Sequence, residues 1–102
     1  MGFPRLVRIR QKFQVERVRD VAAEVQGQLR RLNLGQKVRP AQTVAVTVGS
    51  RGIANIAEIT KAICDHVRSL GAKPVIIPAM GSHGGGTAEG QREIIESYGV
   101  TE

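Results

Sequence analysis

Two short apolar runs, each followed by a glycine-containing loop and a helical pattern, constrain this chain most. Thr43–Val48 is rich in β-branched residues and nearly all apolar, and Pro74–Ala79 has three consecutive β-branched residues at its centre. Such runs are typical of buried strands in a parallel sheet. Between them, apolar residues recur at every third or fourth position from 56 to 70, which indicates a helix. We therefore predict strand–helix–strand units with right-handed crossovers.

A further strand and helix are predicted upstream of these units. Phe3–Phe13 mixes apolar and basic side chains, a pattern that favours an edge strand with one charged, solvent-facing side. Apolar residues between 18 and 32 then recur at helical spacing. We expect this helix to end near Gly35, in a left-handed conformation.

Capping residues mark the ends of the other two helices. Asn55, with Glu58 three residues later, predicts a variant of the capping box at the start of the second helix, and Gly71 predicts its end. Thr87 and Gly99 frame the third helix. The residues of this third helix predicted to face inward are Ile94, Ile95 and Tyr98.

The predicted fold is a Rossmann-like, three-layer α/β arrangement with a small, mainly parallel sheet in the order βαβαβα. The 102 residues are expected to form a single α/β domain. A sheet of three parallel strands is narrow for its class, because parallel sheets are usually wider and covered on both faces. We therefore expect the chain to be part of a larger protein.

Composition limits the partners that this chain can have. Fifteen basic and nine acidic residues give a formal net charge of +6, and many of the basic residues lie between Arg5 and Arg19. Such a cluster can attract polyanions, but aromatic residues are only 3% of the chain, which argues against a base-stacking nucleic-acid site.

Cys64 alone cannot form an internal disulfide. No apolar run suits a secretory signal or a membrane span, so we expect a cytoplasmic location.

Ligand binding is expected at the carboxyl ends of the two central strands, because open α/β sheets bind ligands there. The loops at these ends are Gly49–Asn55 and Gly81–Thr87. If the strands are neighbours, Arg51 and His83 lie at the same end of the sheet. An arginine suits a carboxylate or phosphate, a histidine transfers protons near neutral pH, and helix N-termini favour anions. The other residues of this predicted substrate- or anion-binding set are Gly49, Ser50, Ser82 and Gly84.

Simpler interpretations of these residues stay open. The glycine-rich loop can be a mobile connection, and Arg51 can be a surface arginine. Ser50 and Ser82 can be ordinary turn residues. His66 is predicted to lie on the solvent-facing side of its helix, without a role.

The familiar nucleotide-binding motifs are incomplete. The P-loop lysine is missing after Gly86, and Glu89 stands where a dinucleotide fingerprint needs glycine. Two distant histidines and one cysteine do not predict a metal site.

Two motifs at the carboxyl ends of the strands, VGSRGIANI (48–56) and PAMGSHGG (78–85), occur together. In combination they resemble the N-terminal domain of lactate-racemase-like proteins. These are the nickel-pincer-nucleotide-dependent racemases and epimerases of 2-hydroxy acids, and their relatives. The resemblance extends over most of the chain, from about Val7 to Glu102.

The resemblance implies a longer protein with two α/β domains and an active site between them. Arg51 matches an arginine that follows one strand, and His83 matches a catalytic histidine that follows the next. By this resemblance His83 is the general acid/base for the substrate hydroxyl, and the nickel pincer nucleotide accepts hydride. The C-terminal domain is an implied partner, and a second histidine and the residues that anchor the cofactor lie outside this chain. The chain alone is not expected to catalyse.

Two departures from the family pattern leave the substrate open beyond a small 2-hydroxy acid. Val48–Ser50 stands where racemases carry acidic residues, and Gly84 where they carry a second arginine. Two alternative functions also remain. One is a non-catalytic nucleotide- or phosphate-binding α/β module that uses the same loops. The other is a basic domain that interacts with nucleic acid or a membrane surface through residues 5–19. The sequence does not set the oligomeric state.

Overall fold

The two apolar runs form two parallel, hydrogen-bonded strands. The structure, a computed structural model, describes residues 2–102. Strand β1 is Thr43–Val48 and strand β2 is Lys73–Pro78. The register pairs the first residues of the two strands with each other, and likewise the last residues. This confirms that the two predicted strands are parallel neighbours, and it places both carboxyl ends at the same end of the sheet.

Residues 2–102 also form three α-helices: α1 (Val21–Arg31), α2 (Ile56–Ser69) and α3 (Ala88–Ser97). Short 3₁₀ segments span Leu34–Gln36 and His83–Gly86. Helix α2 packs on both strands and on α1, and α3 packs on β2. The described chain is therefore a small α/β domain in the order α1–β1–α2–β2–α3, one strand short of the predicted βαβαβα order.

The predicted first strand is the missing element. Residues 2–20, which include Phe3–Phe13, lie in no helix or strand. Their apolar side chains are largely exposed, with Phe3 at 99% and Ile9 at 85%. Alternation of apolar and polar residues suits a strand, but a strand is stable only when a neighbouring strand supplies its hydrogen bonds. The predicted strand is therefore not formed within the described chain, because this segment pairs with no other part of it.

Only one face of the sheet is covered by the described residues. Along β1 the even-numbered valines turn toward the helices, whereas Thr43, Ala45 and Thr47 are exposed. The same alternation occurs in β2, where Val75 is 39% and Ile77 44% exposed. The prediction that both strands are buried on both faces is therefore wrong, because α2 and α3 protect one face alone.

The main apolar cluster lies beneath the carboxyl ends of the strands. Val48, Ile95 and Val100 are its buried members. Partly buried side chains that pack against them include Ile76 and Met80. Because Val48 ends β1 and Met80 begins the loop after β2, this cluster supports the two loops that carry the predicted site.

The glycine ends of α2 and α3 are confirmed. Gly71 has φ +78° and Gly99 has φ +92°. After α2, the Gly71 N–H donates to the Arg68 carbonyl at 2.9 Å and the Ala72 N–H to the Val67 carbonyl at 3.3 Å. This is the Schellman pattern, in which the left-handed residue lets the chain satisfy the last carbonyls of the helix.

Of three other predictions of helix ends, the one for Gly35 is wrong, the one for Asn55 is confirmed in position but not in its capping bond, and the one for Thr87 is confirmed. Asn33, with φ +50°, takes the left-handed conformation after α1 in place of Gly35. Asn55 precedes α2 with φ +57° and makes no side-chain capping bond. A capping side chain reaches the first turn only from an extended backbone, so the predicted capping box does not form. Thr87 does cap α3, because its hydroxyl accepts the Gly90 N–H at 3.1 Å.

His66 is buried, contrary to the predicted solvent-facing position. Its side chain is 8% exposed, and its Nδ1 lies 3.1 Å from Oε1 of Gln26 on α1. The Gln26 amide nitrogen donates to the Ala62 carbonyl at 2.7 Å, so the amide oxygen must face the ring and Nδ1 must be the donor. His66 therefore joins α2 to α1 through a hydrogen-bonded chain.

We expect Gln26→Ala to lower the free energy of unfolding by about 1–2 kcal/mol, because it leaves the His66 Nδ1–H buried without an acceptor. Urea denaturation followed by circular dichroism measures this loss. Gln28→Ala is the matched control, since Gln28 lies on the same helix and bonds only to exposed Glu24, at 2.7 Å. Its expected loss is below about 0.5 kcal/mol. Equal losses in the two variants would contradict the structural role of His66.

Candidate functional site

The loops that carry Arg51 and His83 leave the same end of the sheet. Val48, the last residue of β1, pairs with Pro78, the last residue of β2. Just beyond this pair, the Ala79 N–H donates to the Val48 carbonyl at 2.8 Å. The two loops therefore start side by side, as the sequence predicts.

The glycine-rich segment is packed against the start of α3, unlike a mobile connection. Gly81, Gly84, Gly85 and Gly86 all have positive φ, between +58° and +71°. A β-carbon at Gly84 would lie 2.7 Å from the backbone carbon of Gly90, and one at Gly90 would overlap the Gly84 carbonyl oxygen. Glycine is thus required on both sides of this contact, because any larger residue would separate the loop from the helix.

Side chains of α3 hold the backbone of both loops. Gln91 Nε2 donates to the carbonyls of Gly81, at 2.7 Å, and His83, at 3.2 Å. The Tyr98 hydroxyl donates to the Ser50 carbonyl at 2.5 Å. One helix therefore sets the relative positions of the Arg51 loop and the His83 loop.

The sequence pattern does not predict the positioning roles of these two residues. Tyr98 is predicted to face inward but is 40% exposed, and its hydroxyl lies on the Arg51 loop. No role is predicted for Gln91. The available signal was its spacing, four residues after the cap Thr87, which places it on the loop-facing side of the helix.

His83 is half-buried, and its ring is placed by a fixed backbone. Its N–H donates to the Met80 carbonyl at 3.1 Å, and its own carbonyl accepts from Gln91. The ring nitrogen Nδ1 is buried and has no hydrogen-bond partner among residues 2–102. An unpaired buried nitrogen costs free energy. In contrast to His66, which is paired with Gln26, His83 is therefore not explained by packing alone.

Arg51 is exposed in the first loop. Within residues 2–102 the salt bridges engage Lys61, Arg68 and Arg92, and none includes Arg51. Its guanidinium group is therefore not committed to a carboxylate of the described chain. Such a group can bind an external carboxylate or phosphate through two parallel hydrogen bonds.

A cavity of about 350 Å³ opens beside the Arg51 loop. Its lining residues are Ser50, Gly52, Ile53, Ala54, Ile56 and Tyr98. Neither Arg51 nor His83 belongs to this lining. The structure thus brings the two predicted residues to the same end of the sheet, but this cavity does not enclose them.

The described residues do not fit the role of a metal site. Residues 2–102 contain no group of three or more His, Cys, Asp or Glu side chains that could hold a metal ion. Cys64 is buried in α2, and burial raises the pKa of its thiol and so disfavours the thiolate that binds metals. The nickel of a pincer nucleotide would therefore need ligands from elsewhere.

The sequence matches no family model, and neither a curated protein nor a solved structure is significantly similar to it. The resemblance to lactate-racemase-like proteins accordingly rests on the two motifs at the carboxyl ends of β1 and β2. None of the helices within residues 2–102 has the length and apolar character to cross a membrane.

Proposed function

We propose that this chain is the N-terminal part of a lactate-racemase-like isomerase, a racemase or epimerase of a 2-hydroxy acid. The main support is the parallel pairing of β1 with β2, because it brings the Arg51 loop and the His83 loop to one end of the sheet. The packed glycine loop and the unpaired Nδ1 of His83 add to this support.

In this proposal Arg51 binds the substrate carboxylate, and His83 takes up and returns the hydroxyl proton. The guanidinium group supplies a charge-assisted, two-point contact. Proton transfer is assigned to Nε2 of His83, because Nδ1 is buried. Gly49, Ser50, Ser82 and Gly84 are the other residues assigned to substrate binding. The nickel pincer nucleotide would be held by the second domain, and we assign no step to it here.

A phosphate-binding module without catalysis is the second candidate. It is favoured by the run of left-handed glycines from Gly84 to Gly86 directly before α3. Successive backbone N–H groups in such a loop, followed by a helix N-terminus, are typical of anion sites. This candidate uses the same loops but needs no proton transfer by His83.

We expect Arg51→Ala to weaken binding of a 2-hydroxy acid to this chain by at least about tenfold, because it removes a charge-assisted contact. Lactate and malate would be titrated into ¹⁵N-labelled protein, and the amide shifts of residues 49–55 and 81–87 followed. Arg39→Ala is the matched control, because Arg39 is also exposed but precedes β1, at the opposite end of the sheet.

The same titration separates the two candidates. Inorganic phosphate that shifts these amides, when neither hydroxy acid does, would favour the phosphate-binding module. A loss of hydroxy-acid binding in both arginine variants would indicate a general charge effect. Binding that survives Arg51→Ala unchanged would contradict the role of Arg51 as the anion anchor.

A further inference from the structure

We propose that residues 7–15 are a strand that pairs with the free edge of β1 in a second copy of this chain. Two copies would thereby exchange their N-terminal segments. We call residues 7–15 the N-terminal segment. Three features support this pairing: the sequence pattern of the segment, its exposure, and the free edge of β1.

The N-terminal segment alternates with a period of two residues. Its odd-numbered positions are apolar except Gln11, and its even-numbered positions are polar or charged. The apolar residues are Val7, Ile9, Phe13 and Val15. This alternation suits a strand with one face toward a core and one toward water. An unpaired strand of this kind is not stable alone, so the pattern requires an edge.

The N-terminal segment pairs with no edge of its own copy in this structure. Its four apolar side chains are between 72% and 85% exposed. The molecule measures 68 × 36 × 23 Å, with a radius of gyration of 18.9 Å, against about 13 Å for a compact domain of this length. The segment thus extends away from the helices and the sheet, where another molecule can reach it.

The edge that can receive the segment is the outer edge of β1, on the side away from β2. Within residues 2–102, β1 pairs only with β2, so its outer edge keeps unpaired backbone groups. Helix α1 meets α2 at Ala62 and His66, whereas Gly99, after α3, lies against Ala57 on a different side of α2. Because α3 packs on β2, α1 lies on the side of α2 that is away from α3.

The apolar side of α1 is incompletely covered in this position. Val25 and Leu29 are only half-buried, and Leu32 is 62% exposed. A strand added to the outer edge of β1 would place its apolar face under these side chains. The alternation of the N-terminal segment supplies that face, and its arginines and lysine would turn to the opposite, exposed side of the sheet.

A second copy meets these requirements with contacts that this chain already encodes. Exchange of an identical element gives a closed dimer, in which each copy donates one segment and receives one. Residues 16–20, which lie in no helix or strand, would form the hinge before α1. The exchange buries the N-terminal segments of both copies. In a single copy, in the described conformation, this segment stays exposed.

Sedimentation velocity over a range of protein concentrations tests the proposal, with a matched pair of substitutions. Phe13→Lys and Gln14→Lys add the same charge at adjacent positions outside regular structure, but only Phe13 lies on the apolar side. We expect a dimer for wild type and for Gln14→Lys. For Phe13→Lys the dissociation constant should rise at least about 100-fold, because a charged group enters an apolar layer.

A mixing experiment identifies the partner of the segment. In a Cys64→Ala background, Lys12→Cys and Ala45→Cys chains of different mass are refolded together and treated with a short bis-maleimide, because both positions would lie on the exposed face of the sheet. Cross-links between the two chains support exchange, and a Glu93→Cys chain on α3 replaces Lys12→Cys as the control. Cross-links only within a chain that carries both cysteines would show that the segment docks on its own β1. That result, or a wild-type protein that stays monomeric at every concentration, would overturn the proposal.

Discussion

His83→Gln should lower kcat for racemisation or epimerisation of a 2-hydroxy acid by about 10²–10⁴-fold, the usual contribution of a positioned general acid/base. The expectation applies to the two-domain, cofactor-loaded protein of which we propose this chain to be a part. Glutamine keeps a polar side chain of similar reach but cannot take up and return a proton near neutral pH. KM should change little, because His83 interacts with the hydroxyl proton during its transfer and does not bind the substrate carboxylate.

The measurement is the interconversion of stereoisomers, followed by chiral chromatography at several substrate concentrations. Glu93→Gln is the control, because Glu93 is exposed on α3 and has no role in the proposed site. The backbone of His83 is held by Met80 and Gln91, so the substitution should leave the loop in place. Amide spectra of residues 81–87 would verify this. A His83→Gln protein with wild-type kcat would contradict the assignment.

The strand–helix–strand unit can be predicted from sequence, and so can the position of Arg51 and His83 at the same end of the sheet. Both follow from the parallel pairing of the two strands. Thr43–Val48 and the run within Lys73–Pro78 are short, apolar and β-branched, and an intervening helix is the usual connection between parallel neighbours. Parallel neighbours must bring Arg51 and His83 to one end of the sheet. This inference uses topology alone, so it needs no knowledge of side-chain contacts.

The N-terminal segment shows where local pattern fails. Its alternation specifies which side chains would share a face, but it carries no information on whether a free edge is available. The same limit explains the uncovered face of β1 and β2. A run of apolar residues indicates a strand, whereas burial on both faces depends on elements that must pack there.

The polar residues that sequence reasoning misplaced have distant partners. His66 bonds to a side chain 40 positions away, and Tyr98 to a carbonyl 48 positions away. Such contacts are fixed by the packing of one helix on another element, and no local spacing reports them. Gln91 differs from these two residues, because its hydrogen-bond partners, Gly81 and His83, lie in the loop just before its own helix.

We expect Gly90→Ala to lower the free energy of unfolding by about 3 kcal/mol, the upper end of the usual cost of overpacking, because no rotamer relieves a backbone overlap. The new β-carbon would overlap the Gly84 carbonyl oxygen and lie 3.0 Å from the Thr87 hydroxyl oxygen. The loop must then move away from α3, which breaks the Thr87 cap and the Gln91 bonds that hold His83. Because a domain of this size has a total stability of about 5–15 kcal/mol, urea denaturation should show the loss clearly.

Gly27→Ala and Gly85→Ala separate this overlap from the general effects of replacing glycine. Gly27 lies in α1 with nothing within 4 Å of a new β-carbon, so alanine should stabilise the protein by about 0.5–1 kcal/mol through helix propensity. Gly85 also faces open space but has φ +71°, and alanine there should cost about 1–2 kcal/mol. Only Gly90→Ala should in addition speed amide exchange at His83, because it alone forces the loop from the helix. A Gly90→Ala protein as stable as Gly27→Ala would mean that the loop is not held against α3, and the defined position of His83 would lose its structural basis.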